Sequence, residues 1–300
     1  MSTRAMGPMA GFRWLMNAIN LGRNNPKAVF GAAALSLLLM LVPSLLTVPL
    51  QLSATATPGR ILAVFAISML LGLLLAPLYG GLLSIIDAAE RGRPAKATDV
   101  FAPYRAGGGA VRLIVFAIGM LVVYAASVAI VIGVAGTGIV HWYMDLLAAQ
   151  AAKVPPTEAM QHLPAGFGTA AALFAVFWLL LMGVYGVGFG QVAIARRAPL
   201  AALKDGFVGS IKNLLPLLML VVGMIIATIA ILLAFVVLIG LAALLAKLVG
   251  MWVMFVIGVP VYIALVLVMY VVMFGVMYFM WRDICGGSDT RPETVAAMAA

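Results

Sequence analysis

The stretch LKDGFVGSIKNLLPLLML, residues 203–220, sets a short segment of mixed polar and apolar residues directly before a long apolar run. Over residues 200–212, one helical face would carry large apolar side chains: Leu200, Leu203, Phe207 and Ile211. Another face would carry charged ones: Lys204, Asp205 and Lys212. A helix of this kind lies in the headgroup plane of a membrane, with its basic side toward phosphate. We therefore expect an interfacial helix here, followed by a membrane span from residue 214.

Similar segments stand before two earlier apolar runs, NAINLGRNNPKAVFG at 17–31 and DVFAPYRAGGGAVRL at 99–113. Each copy has a small acid or amide, a large apolar residue two positions later and a turn former eight positions later. In the three copies these are Asn17, Asp99 and Asp205, then Ile19, Phe101 and Phe207, then Asn25, Gly107 and Asn213. The pattern predicts one unit used three times: interfacial helix, turn, span and return span.

The helical part of this unit differs in strength between the copies. Before the first span, four apolar residues follow a helical period: Phe12, Leu15, Met16 and Ile19. The second copy is a poorer helix because Pro103 lies inside it and glycines 107–109 follow. The alternative to a structural repeat is three loops that each begin with an amphipathic turn.

The composition places the chain in the membrane. Of its 300 residues, 65% are hydrophobic and 9% are charged, and the mean hydropathy is +1.20. Crossing a bilayer takes about 20 apolar residues in a helix. Six stretches reach that length: 28–50, 61–86, 111–135, 170–193, 214–240 and 252–281. Because these runs are continuous rather than alternating, the sequence predicts an all-α, polytopic membrane protein with six transmembrane helices.

The Lys and Arg residues alternate between the segments that flank these spans. Fifteen lie on the side that carries both chain ends, and three lie on the other side. The positive-inside rule therefore predicts that both termini are cytoplasmic. We expect a cytoplasmic segment with an interfacial helix at 1–27, a membrane domain at 28–282 and a disordered cytoplasmic tail at 283–300.

Three stretches carry a resemblance to a known family: GFRWLMNAINLGRNNPKAVF at 11–30, APLAALKDGFVGSIKNLLPLL at 198–218 and WRDICGG at 281–287. They resemble uncharacterised bacterial inner-membrane proteins of six spans, related to the membrane domain attached to some glycerophosphodiester phosphodiesterases. The resemblance covers most of the chain and implies a six-span helical fold in the bacterial inner membrane. It implies no activity, and the phosphodiesterase catalytic domain has no counterpart in this sequence.

The spans contain few side chains that could take part in catalysis, metal binding or coupled transport. They contain no Asp, Glu, Lys or His, whereas coupled carriers usually place ionisable groups there. His141 and His162 lie in the loop 136–169 without a zinc or copper spacing. A methionine stripe in the sixth span (269, 273, 277 and 280) is interpreted as a set of packing residues rather than copper ligands. We expect no enzymatic activity, catalytic residue, metal or cofactor.

The net charge of +9 is expected to meet anionic headgroups rather than nucleic acid. The candidate contacts with lipid or a partner protein are basic residues of the cytoplasmic segments: Arg13, Arg23, Lys27, Arg105, Lys204 and Lys212.

Gly186 and Gly190 form a GxxxG pattern, which predicts a close helix–helix contact within the bundle or between copies. These features indicate a structural or accessory membrane protein with lipid, protein or homo-oligomeric contacts. The alternative is a permease for a lipid-like or uncharged solute, with spans bent at Pro43, Pro77 and Pro260.

Overall fold

The computed structural model of the chain describes residues 3–21, 23–52, 58–151, 154–155, 157 and 162–286. Within them lie a 3-10 helix, Ala97–Tyr104, and these α-helices: α1 Ala10–Ile19, α2 Pro26–Leu52, α3 Pro58–Glu90, α4 Ala110–Ala135, α5 Gly138–Ala151, α6 Phe167–Ala193, α7 Pro199–Lys212, α8 Leu214–Val249 and α9 Trp252–Cys285. Six of them are long and apolar enough to cross a membrane, namely α2, α3, α4, α6, α8 and α9. The prediction of an all-α, six-span membrane protein is confirmed.

The spanning helices start and end within four residues of the predicted spans, except α8. This helix continues to Val249 because residues 241–246 remain apolar, and it ends at Gly250, whose φ of +116° an L side chain rarely adopts. The loop 136–169 contains a further helix, α5. Of the predicted tail 283–300, residues 287–300 lie outside the described residues.

The helices form three hairpins that pack in cyclic order. The hairpins are α2–α3, α4–α6 and α8–α9, and their second helices, α3, α6 and α9, contact one another at the centre. Each first helix also contacts the second helix of the preceding hairpin: α4 contacts α3, α8 contacts α6, and α2 contacts α9. The contact pattern therefore has three-fold pseudosymmetry, as expected for a unit used three times.

The short helices also follow this cycle, but each packs on the hairpin before its own. The 3-10 helix packs on α2 and α3, α7 packs on α4 and α6, and α1 packs on α8 and α9. In this way α1, near the start of the chain, packs against its last two helices, α8 and α9. We call the end of the bundle that carries these three helices the basal end, and the opposite end the distal end.

One polar contact repeats at the start of each hairpin. Asn25 Nδ2 donates to the Ala95 carbonyl at 3.1 Å, just before the 3-10 helix. Arg112 Nη1 donates to the Arg196 carbonyl at 3.0 Å, just before α7. Asn213 Nδ2 donates to the Arg4 carbonyl at 2.9 Å, in the segment before α1. Each hairpin thus fixes the chain that leads into the short helix packed on it.

Aromatic side chains fill the centre between the three second helices. Tyr79 of α3 lies 5.4 Å from Phe274 of α9 and 6.5 Å from Tyr185 of α6, measured between ring centroids. Phe189 of α6 is 5.9 Å from Tyr79 in an edge-to-face arrangement. Aromatic pairs of this geometry contribute about 0.5–1.5 kcal/mol each beyond the area that they bury. The cluster therefore holds the three hairpins together on the pseudosymmetry axis.

The faces of α7 differ from the sequence-based expectation. Its buried face consists of small residues: Ala202, Gly206, Gly209 and Ser210. The large apolar residues Leu200 and Ile211 are exposed, as in a helix that meets lipid. Grouping Asp205 with the exposed residues Lys204 and Lys212 was wrong, because Asp205 turns toward α6, where it finds ion-pair and hydrogen-bond partners. Large side chains on the packing face would hold α7 away from α6.

Candidate functional site: the basic basal end

Most acidic side chains of the basal end form hydrogen bonds or ion pairs within the protein. Asp87, near the end of α3, is buried and accepts bonds from Arg91 Nε at 2.7 Å and from Arg93 Nη2 at 2.5 Å. Tyr278 of α9 donates a third bond to the same carboxylate at 3.3 Å. The hydrogen bond to Asp87 raises the pKa of Arg91 above its usual value. Asp87 therefore ties α9 and the segment after α3 together.

Three further basal carboxylates also have internal partners. Asp205 lies 2.8 Å from Arg197 Nε and accepts a bond from Gln191 Nε2 at 2.9 Å. Asp283, in the last turn of α9, accepts a bond from Trp14 Nε1 of α1 at 2.9 Å. Asp99 accepts a bond from the Lys96 backbone and caps the 3-10 helix. These acids have partners within the fold, so they offer little compensation to the basic side chains on the surface.

The basic candidate residues are all exposed at this end: Arg13, Arg23, Lys27, Arg105, Lys204 and Lys212. The elements that carry them come from all three pseudosymmetric units. Lys212 differs from the others, since its Nζ donates to the Thr3 carbonyl at 3.1 Å and to the Thr3 hydroxyl at 3.2 Å. Part of its role is therefore to hold the N-terminal segment. The remaining five are available to anionic groups at the membrane surface.

The glycines of the GxxxG pattern lie where α6 crosses α9. A Cβ at Gly186 would lie 2.1 Å from Met280 Cε, and one at Gly190 would lie 2.2 Å from Trp281 Cγ. The side chains of α9 thus occupy the space that larger residues would need. The crossing lies near the basal end, where most of the buried core is found.

The helices leave a large cavity that extends from the middle of the bundle to α1 at the basal end. Its volume is about 1430 Å³, and residues of α1, α3, α4, α6, α8 and α9 line it. The lining is mostly aliphatic and aromatic, with hydroxyl groups from Tyr124, Ser127, Tyr185, Thr228 and Tyr270. The cavity is larger than the typical small-molecule site of about 300–1,000 Å³. An apolar ligand with a long chain fits such a lining.

The remaining candidate residues fall into two groups. His141 is exposed on α5, and His162 is exposed in the loop that follows. Within the described ranges no group of three His, Cys, Asp or Glu side chains could hold a metal ion. The four methionines of the stripe in the sixth span, in contrast, line the cavity: Met269, Met273, Met277 and Met280.

Comparison with known proteins gives no relative. No family model matches the chain, and no curated protein or solved structure matches it either. Nothing in these comparisons bears on the resemblance to the phosphodiesterase-linked membrane domains, which stays a prediction.

Several residues that organise the basal end were not singled out from the sequence. Asp87, Arg197 and Asp283 stand directly after apolar runs, where a charge is usually interpreted as the limit of a span. Asn213 was assigned only as a turn former, yet its side chain is completely buried and makes three hydrogen bonds. The position of Asp87 next to the apolar run 61–86 was the available signal, since a carboxylate at such a depth needs a partner.

Proposed function

We propose that the protein is a non-enzymatic accessory protein of the bacterial inner membrane that binds anionic lipid headgroups through its basal end. The observation that carries this proposal is that acidic side chains of the basal end are paired internally while basic side chains are exposed. Four of the basal carboxylates, those of Asp87, Asp99, Asp205 and Asp283, have partners inside the fold, while Arg13, Arg23, Lys27, Arg105 and Lys204 are exposed. A surface of this kind attracts the anionic leaflet that faces the cytoplasm. The positive-inside rule gives the basal end the same orientation.

Neutralising two of these residues tests the proposal. In nanodiscs of phosphatidylglycerol and phosphatidylcholine, native mass spectrometry of the protein is expected to find retained phosphatidylglycerol in excess. The double variant Arg13→Gln, Lys204→Gln is expected to lower this preference roughly tenfold, because each basic group near the surface contributes to the attraction.

The matched control is Arg60→Gln, Lys247→Gln, which removes the same charge at the distal end. It is expected to leave the preference for phosphatidylglycerol unchanged. Equal losses in both double variants would show that net charge alone matters, and an unchanged preference in the basal variant would overturn the proposal.

A permease for a lipid-like or uncharged solute is the second candidate. The apolar cavity within the bundle favours it, together with Pro77 in α3 and Pro260 in α9. This function predicts substrate-dependent flux into vesicles that contain only this protein, measured with a fluorescent short-chain phospholipid. Flux equal to that of protein-free vesicles would reject it without affecting the proposed accessory function.

A further inference from the structure

We propose that the cavity holds an acyl chain of an anionic phospholipid whose headgroup lies at the basal end beside α1. This inference rests on the proposed function for the headgroup and adds a defined site for the chain. The lipid would be a bound component of the protein, held in one place, rather than a member of the surrounding bilayer. Three features of the cavity support this site: its depth in the membrane, its lining and its basal end.

The cavity lies at the depth of the hydrocarbon. Its lining residues on α4 fall between 117 and 131, those on α6 between 174 and 185, and those on α8 between 224 and 231. Each of these segments lies in the middle of a spanning helix. Tyr124 on α4 and Trp178 on α6 line the cavity and are about half exposed, so the cavity is accessible from outside. At this depth the surrounding medium is lipid, and an acyl chain is the molecule that enters such a space.

The lining suits a chain of variable shape. Methionines from five helices face the cavity: Met69, Met120, Met182, Met224, Met269, Met273, Met277 and Met280. Methionine is unbranched and flexible, so a surface rich in it adapts to different apolar ligands. A smaller number of hydroxyl groups, such as those of Thr228 and Tyr270, adds polar points without charge. The methionine stripe of the sixth span therefore has a role that packing alone does not give it.

The basal end of the cavity connects this chain to the basic surface. α1 lies at the basal end and contributes Leu15 and Ile19 to the lining. Ile19 is also 51% exposed, so it lies at the boundary between the cavity and the protein surface. Arg23, four residues after Ile19, is exposed and basic. A phospholipid with its chain against Leu15 and Ile19 would thus have a cationic partner for its phosphate.

A cavity-filling variant tests the inference. Ala117→Phe with Ala227→Phe adds two rings to the lining from α4 and α8. The control, Ala126→Phe with Ala234→Phe, places the same rings on exposed positions of the same helices that do not line the cavity. After transfer from phosphatidylglycerol nanodiscs, native mass spectrometry is expected to find one retained lipid on the native chain and on the control. The filled variant is expected to lose it while keeping its helical circular dichroism.

A second measurement needs no variant. Phosphatidylglycerol with a diazirine at the end of one acyl chain is photolysed with the native protein in nanodiscs, and the adducts are mapped by peptide mass spectrometry. Adducts are expected on cavity residues such as Met182 and Met273. Adducts confined to outward positions such as Leu233 and Val236, which are exposed and outside the lining, would overturn the inference.

The outcomes separate this inference from the proposed function. If the filled variant retains one lipid as the native chain does, the site in the cavity is rejected. The preference for phosphatidylglycerol that depends on Arg13 and Lys204 would still stand. If a lipid-free dimer appears in its place, a second copy of the chain covers the cavity and the inference also fails.

Discussion

Gly81→Ala is expected to destabilise the protein by about 3 kcal/mol, near the upper end of overpacking costs. A Cβ at this position of α3 would lie 2.1 Å from the Val100 carbonyl oxygen and 2.8 Å from its carbon. Both are main-chain atoms of the 3-10 helix, so no rotation of a side chain can relieve the clash. The 3-10 helix would have to move away from α3. The measurement is thermal unfolding in detergent, followed by circular dichroism.

The control is Gly72→Ala, two and a half turns earlier on α3. A Cβ there meets no atom within 4 Å. Because alanine favours a helix over glycine by about 1 kcal/mol, this variant is expected to be neutral or slightly stabilised. The two substitutions are chemically identical and differ in sign of effect. If both lower the unfolding temperature equally, α3 does not approach the 3-10 helix in the way described.

Asn213→Ala is expected to release the N-terminal segment from the basal end. Asn213 is completely buried and accepts a bond from the Met6 backbone at 2.7 Å. Its amide donates to the carbonyls of Arg4 at 2.9 Å and Gly209 at 2.8 Å. Alanine would leave these backbone groups without that partner, at a cost of about 1–3 kcal/mol for a buried group. Hydrogen exchange at the amides of residues 3–9 is expected to become faster.

Asn20→Ala is the control for this substitution. Asn20 is exposed, and its side chain donates a hydrogen bond to the Met16 carbonyl of α1 at 2.9 Å. Exchange of residues 3–9 is expected to stay at the native rate in this variant. Unchanged exchange in Asn213→Ala would mean that other contacts, such as the Arg4 amide to the Ile284 carbonyl at 2.9 Å, suffice to hold the segment.

The cyclic packing explains why these two sites matter. Gly81 allows the 3-10 helix of the second unit to dock on the first hairpin, and Asn213 lets the third hairpin bind the chain that leads into α1. Both contacts join one unit to the next in the cycle. Disturbing either is expected to loosen the basal end, on which the arrangement of the exposed basic residues depends.

The sequence by itself determined the class of protein and the number and order of its apolar helices. Continuous apolar runs of sufficient length must form helices in lipid, because every backbone polar group needs a partner there. The repeated segments before spans one, three and five also indicated three units. These conclusions depend on local composition and spacing, which a single sequence displays directly.

Only the tertiary structure decided how the units pack together and which polar side chains pair with one another within the fold. The sequence could not show that each short helix packs on the preceding hairpin, because hydropathy specifies an environment and not a neighbour. For the same reason Asp205 was placed with the exposed Lys204, although Arg197 and Gln191 bind it within the fold. The cavity also arises from tertiary packing: α6 and α9 meet closely at Gly186 and Gly190, and the space lies toward the distal side of that crossing. Partners of buried charges and spaces between helices are set by contacts that are distant in sequence.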